Sequence, residues 1–465
     1  MVFNSLEFAV FLAIVFPLYL VLPRRGQNLM LLAASYVFYG MWDWRFLGLL
    51  IASTAIDFLC GLAIDREQRE AHRRRWLWLS VAVNLSFLGF FKYFDFFAES
   101  LQRLLAALGI DAGLSTLGIY LPVGISFYTF QSMSYTIDVY RRQLPATRHP
   151  LDFALYVAFF PQLVAGPILR ASYFMAQILS PRRVTMEGVS EGAWLIFFGL
   201  FKKVFIADNL APIVERIYAA PGEFSGPHVI IGIYAFAWQI YCDFSGYSDI
   251  ARGLGKIMGF DIRLNFNLPY FARDPTDFWN RWHISLSLWL RDYLFNPLGG
   301  NRRRTLRNLV ITMGLGGLWH GAAWHFVAWG LFCGSVLVVY RLVQGERRVK
   351  DPSRRRLVTE MIINFNWFCL SLILFRVASL GDFGLAMRQI ATDWAFTWPV
   401  VRDGLLVFAY ALPLFVMELF MFRTGDHMAV WRLPGWARVL LYTAMYFAIT
   451  LGGALYGPQF YYFQF

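Results

Sequence analysis

A run of polar side chains interrupts an otherwise apolar sequence: DFWNRWHISLSLWLRDYLFNPLGGNRRR at 277–304, followed by GLGGLWHGAAWHF at 314–326. These two segments contain His283, His320 and His325. An ionisable side chain at membrane depth costs several kcal/mol unless it is paired or hydrated, so such residues usually mark a functional site. We therefore expect the chemistry of the protein to lie in this part of the chain.

The composition is typical of an integral membrane protein. Of 465 residues, 58% are hydrophobic and 15% are charged, and the mean hydropathy is +0.48, whereas soluble domains carry about 25% charged residues. The net charge of +12 comes from basic residues in short runs between apolar segments, which indicates topology signals and not nucleic-acid binding. We predict an all-α polytopic membrane protein, in contact with membrane lipid and with no nucleic acid.

A crossing of the hydrocarbon core needs about 20 apolar residues, which predicts roughly 11–12 transmembrane helices. Their segments are 6–23, 28–42, 46–64, 76–97, 119–139, 190–207, 227–242, 306–322, 324–343, 357–378, 403–422 and 437–456. Placing the basic runs between them in the cytoplasm puts both termini in the periplasm. No internal repeat or linker divides the sequence, so residues 1–465 are predicted to form a single membrane domain.

Two segments do not fit simple crossings. Basic residues flank 151–168 on both sides, and 245–300 is rich in polar groups. Irregular backbone at membrane depth is tolerated only where it is buried in protein or lines a wet cavity. We predict re-entrant or in-plane helices here, around a cavity open to the cytoplasm, and we expect the polar run 241–249 to line or cap that cavity.

His320 lies in a glycine-rich apolar segment that we predict to be helical. Gly317 and Gly321 form a small-xxx-small pair, which lets a neighbouring helix approach closely. Burial there favours a neutral imidazole that can act as a general base; a buried histidine that only hydrogen-bonds a neighbouring helix is the alternative. At 3.6 residues per turn, a helical course would turn His325 about 140° away from His320, so we predict no shared metal ion and a structural role for His325.

Two further groups of residues have both a functional and a simpler interpretation. Asn280 and His283 suit the binding of carbonyl or headgroup oxygens, but they follow aromatic residues that are typical of a membrane interface. Arg302, Arg303 and Arg304 would steer a phosphate-bearing donor, or they would serve only as topology residues at the cytoplasmic face.

Several long motifs resemble those of the membrane-bound O-acyltransferases, in particular bacterial members that O-acetylate alginate. The motifs are LPVGISFYTFQSMSYTIDVYR, QIYCDFSGYSDIARGLG, DFWNRWHISLSLWLRDYLFNPLGGNR and GLWHGAAWHF. The resemblance implies a funnel-shaped helical fold with a central tunnel, in which His320 matches the near-invariant histidine of the family and His283 its second signature histidine. It also implies that Tyr462, in the C-terminal FYYFQF, matches a tyrosine of a relay peptide that accepts the acyl group.

The resemblance further implies the substrates and the partner. Acetyl-CoA would act as the donor from the cytoplasm, as a substrate and not as a bound cofactor. The acetyl group would reach an exported polysaccharide through a periplasmic SGNH-hydrolase-like acetyltransferase. An alginate-like polymer is expected, and peptidoglycan and cellulose stay open as acceptors.

These observations lead to a hypothesis of direct acyl transfer across the bilayer. His320 would remove a proton from an acceptor hydroxyl, with that of Tyr462 as a candidate, while His283 and Asn280 orient the donor or stabilise the oxyanion. The phosphates of the donor would lie near Arg302–Arg304. Two alternatives come from other classes of protein: a transporter or channel that performs no chemistry, and a non-catalytic membrane scaffold for a periplasmic acetyltransferase.

Overall fold

A computed structural model describes residues 1–110, 113, 115–163, 166–344 and 353–454. These residues form helices and connecting turns, with no β-strand among them. The α-helices are α1 (Leu6–Val21), α2 (Arg24–Asp43), α3 (Arg45–Arg66), α4 (Glu70–Leu88), α5 (Phe94–Ala107), α6 (Ile125–Tyr140), α7 (Pro150–Ala158), α8 (Phe160–Leu163), α9 (Ala171–Leu179), α10 (Met186–Leu200), α11 (Asp208–Ala219), α12 (Gly226–Ile257), α13 (Pro275–Trp279), α14 (Ile284–Leu290), α15 (Thr305–His320), α16 (Trp324–Gln344), α17 (Arg354–Arg376), α18 (Leu380–Thr392), α19 (Trp398–Thr424) and α20 (Gly435–Gly452). Wider π-helical turns follow α4, α10 and α14, at Gly89–Tyr93, Phe201–Ala207 and Arg291–Phe295.

The helices that hydropathy predicts are confirmed. Each of the twelve predicted segments overlaps a helix, from α1 near the N-terminus to α20 near the C-terminus. Six described helices are both long and apolar enough to cross a membrane: α3, the continuous α4–α5, α12, α16, α17 and α19. The helical class and the multi-pass character of the chain therefore follow from length and hydropathy, as expected.

The segment 151–168 is broken into short helices, as its irregular hydropathy indicates. The chain changes direction at Phe159, between α7 and α8, and the side chains from Leu155 to Leu163 are buried. Because these side chains are covered by protein, the interruption of the helix is of the kind that a membrane protein tolerates.

The prediction that 245–300 consists of re-entrant or in-plane helices is wrong for its first part, up to Ile257. Helix α12 continues to Ile257, well beyond the predicted end at residue 242, so the polar run 243–249 is helical. Only the part after α12 consists of short helices and turns.

Ion pairs explain how the polar run of α12 stays helical inside the protein. Lys203 Nζ lies 2.7 Å from a carboxylate oxygen of Asp208 and 2.9 Å from one of Asp243, and Lys202 pairs with Asp249. Both lysines lie on the π-helical turn that follows α10. Buried charges are tolerated when they are paired in this way. None of 241–249 is among the residues that line the cavity around His283 and His320, so the expectation that this run lines that cavity is wrong. Tyr241, Ser248 and Asp249 line a separate, smaller pocket.

The chain divides into two compact units, of which the first consists of Met1–Gly192 and Leu254–Arg263. In its interior, the carboxyl group of Asp57 accepts hydrogen bonds from Ser80 Oγ at 2.6 Å and from Asn84 Nδ2 at 2.9 Å. These bonds join α3 to α4 and satisfy a buried polar group. The prediction of a single domain stays a prediction.

The second unit consists of Ala193–Gly253 and the described residues after Arg263, and it contains the whole polar window 277–326. Helices α15 and α16 of this unit pack with their backbones in contact at Gly317 and Gly330. A Cβ atom added to Gly317 would lie 2.2 Å from the carbonyl oxygen of Phe326 and 3.0 Å from the Cα of Gly330. The close helix approach predicted for Gly317 is confirmed, and it requires glycine because no side chain fits.

His320 and His325 lie on different helices, in agreement with the separate predicted segments 306–322 and 324–343. Helix α15 ends at His320, Gly321 is extended, and α16 begins at Trp324. A Cβ atom on Gly321 would lie 2.1 Å from the ring of Phe326, so this glycine allows the sharp turn between the two helices. His320 is therefore the last residue of its helix, and its imidazole stands beside a turn.

Candidate active site

One cavity of the second unit contains both histidines of the predicted site. Its volume is 570 Å³, and it lies among α13, α14, α15 and α16. The lining includes Trp279, Asn280, His283, His320 and Trp329. A concave, mostly apolar site with a few polar groups is typical of small-molecule binding. His283 and His320, which lie in different motifs of the sequence, thus line the same cavity together with Asn280.

Aromatic rings enclose His320. Its imidazole is 6% exposed, and the ring centroids of Trp319, Trp329 and Phe375 lie 5.0, 5.2 and 5.4 Å away in edge-on orientations. Such packing excludes bulk water and restricts the imidazole to one orientation. The predicted burial of His320 is confirmed.

His283 is an interior residue, so the interfacial interpretation does not apply to it. It is 2% exposed, and its imidazole packs against Phe244 at 4.6 Å and Trp319 at 6.0 Å between ring centroids. It precedes α14 in a left-handed conformation, with φ 42° and ψ 54°, which is uncommon for a residue other than glycine and is found at functional sites. Burial lowers the pKa of His283 to about 3, so the imidazole is neutral at physiological pH.

Asn265 holds the turn that carries His283. It is fully buried, and its main-chain oxygen accepts a hydrogen bond from the Ile284 N–H at 2.9 Å. Its side-chain Oδ1 accepts hydrogen bonds from Ser285, at 3.1 Å from the main-chain N and 2.9 Å from Oγ. The same Oδ1 lies 3.4 Å from His283 Nδ1. One residue thus contacts three consecutive residues around the unusual turn.

These contacts also assign the tautomer of His283. A main-chain N–H can only donate, so the side-chain atom of Asn265 that faces Ser285 is the oxygen. The nearby Nδ1 of a neutral imidazole then carries the proton, and Nε2 keeps its lone pair. His283 is therefore suited to accept a hydrogen bond or a proton through Nε2, and not to donate one.

Sequence reasoning missed Asn265, because it lies between Leu264 and Phe266 outside the motifs and gives no local signal. We expect Asn265→Ala to lower the turnover rate of acyl transfer by at least about 10-fold, since a displacement of about 1 Å at a catalytic group can cost about 100-fold. The KM for the donor should change much less. Steady-state kinetics on purified protein in vesicles measure both quantities.

Asn265→Asp separates positioning of His283 from a general packing role. A carboxylate beside Nδ1 favours the imidazolium form and raises the pKa of His283. Activity of this variant should then be lost at a higher pH than in the wild type as the solution is acidified. A normal pH profile in Asn265→Asp, together with full activity in Asn265→Ala, would contradict the assignment.

The basic residues at the cavity differ from those that the sequence suggested. Arg291 and Arg341 line it, and Arg341 Nη1 donates to Asn301 Oδ1 at 3.0 Å. The side chains of Arg302–Arg304 are exposed and are not part of the lining. Arg341 was missed because it lies far along the chain and reaches the site only through the pairing of α15 with α16.

The remaining predicted residues are Asn280, His325 and Tyr462, and the structure gives a different result for each. Asn280 lines the cavity. His325 is not among the lining residues, and its Nδ1 lies 3.0 Å from the carbonyl oxygen of Leu374, as expected of a structural histidine. Tyr462 lies outside the described residues, so its role stays a prediction.

A family model for membrane-bound O-acyltransferases matches residues 139–381. The match includes every residue of the cavity, from Thr276 to Arg341. The chain belongs to this family and is a multi-pass membrane acyltransferase.

Relatives with known names are similar over most of the chain. A probable alginate O-acetylase AlgI of Azotobacter vinelandii is 44% identical over 85% of this chain and 78% of its own length. A peptidoglycan O-acetyltransferase of Helicobacter pylori is 33% identical over 88% of this chain and 86% of its own length. A teichoic acid D-alanyltransferase of Bacillus subtilis is 28% identical over 54% of this chain and 68% of its own length.

Proposed function

We propose that this protein moves an acetyl group from cytoplasmic acetyl-CoA across the inner membrane for the O-acetylation of an exported polysaccharide of the alginate type. The observation that carries the proposal is the 570 Å³ cavity lined by His283, His320 and Asn280. The 44% identity to an alginate O-acetylase supports the choice of group and polymer. A periplasmic SGNH-hydrolase-like acetyltransferase would complete the delivery.

The proposed reaction is acyl transfer to a hydroxyl group. The acceptor oxygen attacks the carbonyl carbon of the thioester while His320 takes the hydroxyl proton as general base. The tetrahedral intermediate then collapses with cleavage of the C–S bond, and the CoA thiolate leaves with the proton from His320. The Asn280 amide donates to the oxyanion, and neutral His283 orients the acceptor hydroxyl through Nε2.

The charged end of the donor needs cations at the cavity. Arg291 and Arg341 line the cavity, and guanidinium groups bind phosphate oxygens through paired hydrogen bonds. Arg302–Arg304, which are exposed next to the Asn301 partner of Arg341, add positive potential for an approaching anion. Acetyl-CoA would therefore enter with its phosphates outside and its thioester toward the histidines.

Inverted membrane vesicles and doubly labelled acetyl-CoA test the proposal. One label lies in the acetyl group and the other in the adenine. We expect acetyl label on the protein or inside the vesicles, with free CoA outside. Entry of both labels together would indicate a transporter, and no consumption of acetyl-CoA even with the partner would indicate a scaffold.

In the same vesicles, Tyr462→Phe tests the relay hydroxyl. This change keeps the aromatic ring and removes only the oxygen that would carry the acetyl group. We expect loss of acetyl label from the protein and from the polymer. Tyr461→Phe is the matched control and should behave as the wild type. Full activity of Tyr462→Phe would exclude a relay through this residue, and the acceptor hydroxyl would then belong to the partner or the polymer.

A further inference from the structure

A buried carboxyl group on α19 takes no part in the proposed reaction. Glu418 is 2% exposed, although α19 is long and apolar enough to cross a membrane. Its Oε1 accepts a hydrogen bond from the hydroxyl group of Tyr241, on α12, at 2.5 Å. An ionisable side chain among apolar helices is costly and usually marks a functional site. The burial of Glu418 therefore calls for a role that an apolar residue could not fill.

The ring of Tyr241 belongs to a cluster of aromatic side chains behind the active cavity. Its centroid lies 5.9 Å from that of Phe266 and 6.0 Å from that of Trp282, and the rings of Phe266 and Trp282 meet edge to face at 5.1 Å. Trp282 lines the active cavity and directly precedes His283. The hydrogen bond to Glu418 thus fixes a ring that packs against the wall of the cavity.

The segment 264–268 lies between Tyr241 and the turn that carries His283. Two main-chain hydrogen bonds join this segment to the chain on both sides of His283, from Asn267 N to the oxygen of Arg281 at 2.8 Å and from Ile284 N to the oxygen of Asn265 at 2.9 Å. The segment therefore sets the position of the whole turn, and not only that of the imidazole.

Alternate side chains of this segment face opposite sides. Leu264, Phe266 and Leu268 line the smaller pocket, of 30 Å³, together with Tyr241 and Glu418, whereas Asn265 contacts the turn of His283. A space of this volume holds about one water molecule. The side chain of Phe266 is thus held closely on the side that faces α12 and α19.

We propose that Glu418 is a positioning residue of the active site, which fixes His283 through Tyr241 and Phe266. The carboxyl group holds the ring of Tyr241, and that ring packs on Phe266. The neighbouring Asn265 Oδ1 lies 3.4 Å from His283 Nδ1. An apolar residue at position 418 would leave the buried hydroxyl of Tyr241 without its acceptor. This role rests on the proposed function of His283 in orienting the acceptor hydroxyl.

Steady-state kinetics in vesicles test the hydrogen bond. Tyr241→Phe keeps the ring and removes only the hydroxyl, and Glu418→Ala removes the acceptor, so each should lower the turnover rate several-fold with little change in the KM for acetyl-CoA. Glu418→Gln keeps a carbonyl oxygen as acceptor and should retain most of the activity. The double variant of Tyr241→Phe and Glu418→Ala should lose no more than either single variant, because both remove the same contact.

Heteronuclear NMR of protein with isotope-labelled histidine separates positioning from a loss of stability. The shifts of the two ring nitrogens report the tautomer and the hydrogen bonds of an imidazole, and the spectrum of His283→Asn assigns the signals of His283. We expect these signals to move in Tyr241→Phe and in Glu418→Ala. The spectra are recorded without acyl donor, so they do not depend on the proposed reaction.

Asp403→Asn is the matched control. Asp403 is another buried carboxyl group of α19, about 22 Å from Glu418 along the helix, and it pairs with Arg216 and Arg402. Its loss should lower the thermal midpoint and leave the turnover rate and the His283 signals unchanged.

Three results would overturn the positioning role: a normal turnover rate in both Tyr241→Phe and Glu418→Ala, unmoved His283 signals in these variants, or the same changes in Asp403→Asn. A wild-type protein that consumes no acetyl-CoA, but whose His283 signals move in the two variants as expected, would instead contradict the proposed function and leave the link from Glu418 to His283 in place.

Discussion

Acetyl transfer is expected to fall by about 10²–10⁴-fold when His320 is replaced by alanine, which is the usual contribution of a positioned general base. The imidazole stands at the end of α15 among Trp319, Trp329 and Phe375, and it is the candidate base that the sequence motifs predict. The measurement is the rate of label transfer from acetyl-CoA in vesicles, normalised to the amount of protein in the membrane.

Two variants control this result. His320→Gln keeps a polar side chain of similar size but has no basic nitrogen, so it should lose as much activity as His320→Ala. His325→Asn changes the histidine that contacts the carbonyl oxygen of Leu374, and it should lower thermal stability more than catalytic rate. Normal polymer acetylation in His320→Ala would remove His320 from the mechanism.

Gly317→Ala is the second change with a large expected effect. The new Cβ would lie 2.2 Å from the carbonyl oxygen of Phe326, an atom of the backbone that no rotamer change can move away. Helices α15 and α16 must then separate, and both contribute residues to the active cavity. We expect a lower thermal midpoint in detergent and a loss of activity of at least about 10-fold, because a shift of about 1 Å in catalytic geometry is enough to cause it.

Gly314, another glycine of α15, provides a matched control. A Cβ on Gly314 would approach Leu331 Cδ2 at 3.1 Å, which is the end of a flexible side chain, and Gly314 is not among the residues that line the active cavity. Alanine also favours the helix over glycine by about 1 kcal/mol. Gly314→Ala should therefore be nearly neutral. If Gly314→Ala and Gly317→Ala behave alike, the close contact at Gly317 does not control the site.

Several features follow from the sequence because they depend on local composition. Length and hydropathy locate the helices, since a span needs a long apolar run whatever its neighbours are. The position of the site was predictable for a similar reason: polar residues are costly among apolar helices, which directs attention to His283, His320 and Asn280. The motifs that resemble the O-acyltransferase family contain the same three residues.

Other features depend on contacts between distant segments, which hydropathy does not encode. The run 241–249 looked like a boundary because its residues are polar, yet Lys203 neutralises Asp243 and the helix continues. The predicted segment 306–322 ends as a helix at His320, and the ring of Phe326 packs so closely against Gly321 that only glycine fits at this turn.

The sequence by itself determined that this is a multi-spanning helical acyltransferase and pointed to His320 as the candidate base, because apolar length and motif residues are local properties of the chain. Only the tertiary structure decided what surrounds that residue. It brought His283 into the same cavity, introduced Arg341 as a lining cation, and put Asn265 Oδ1 beside the ring nitrogen of His283. The physical reason is that hydrogen bonds and close helix contacts depend on distances in space, whereas spacing along the chain fixes only the face of a helix on which a residue lies.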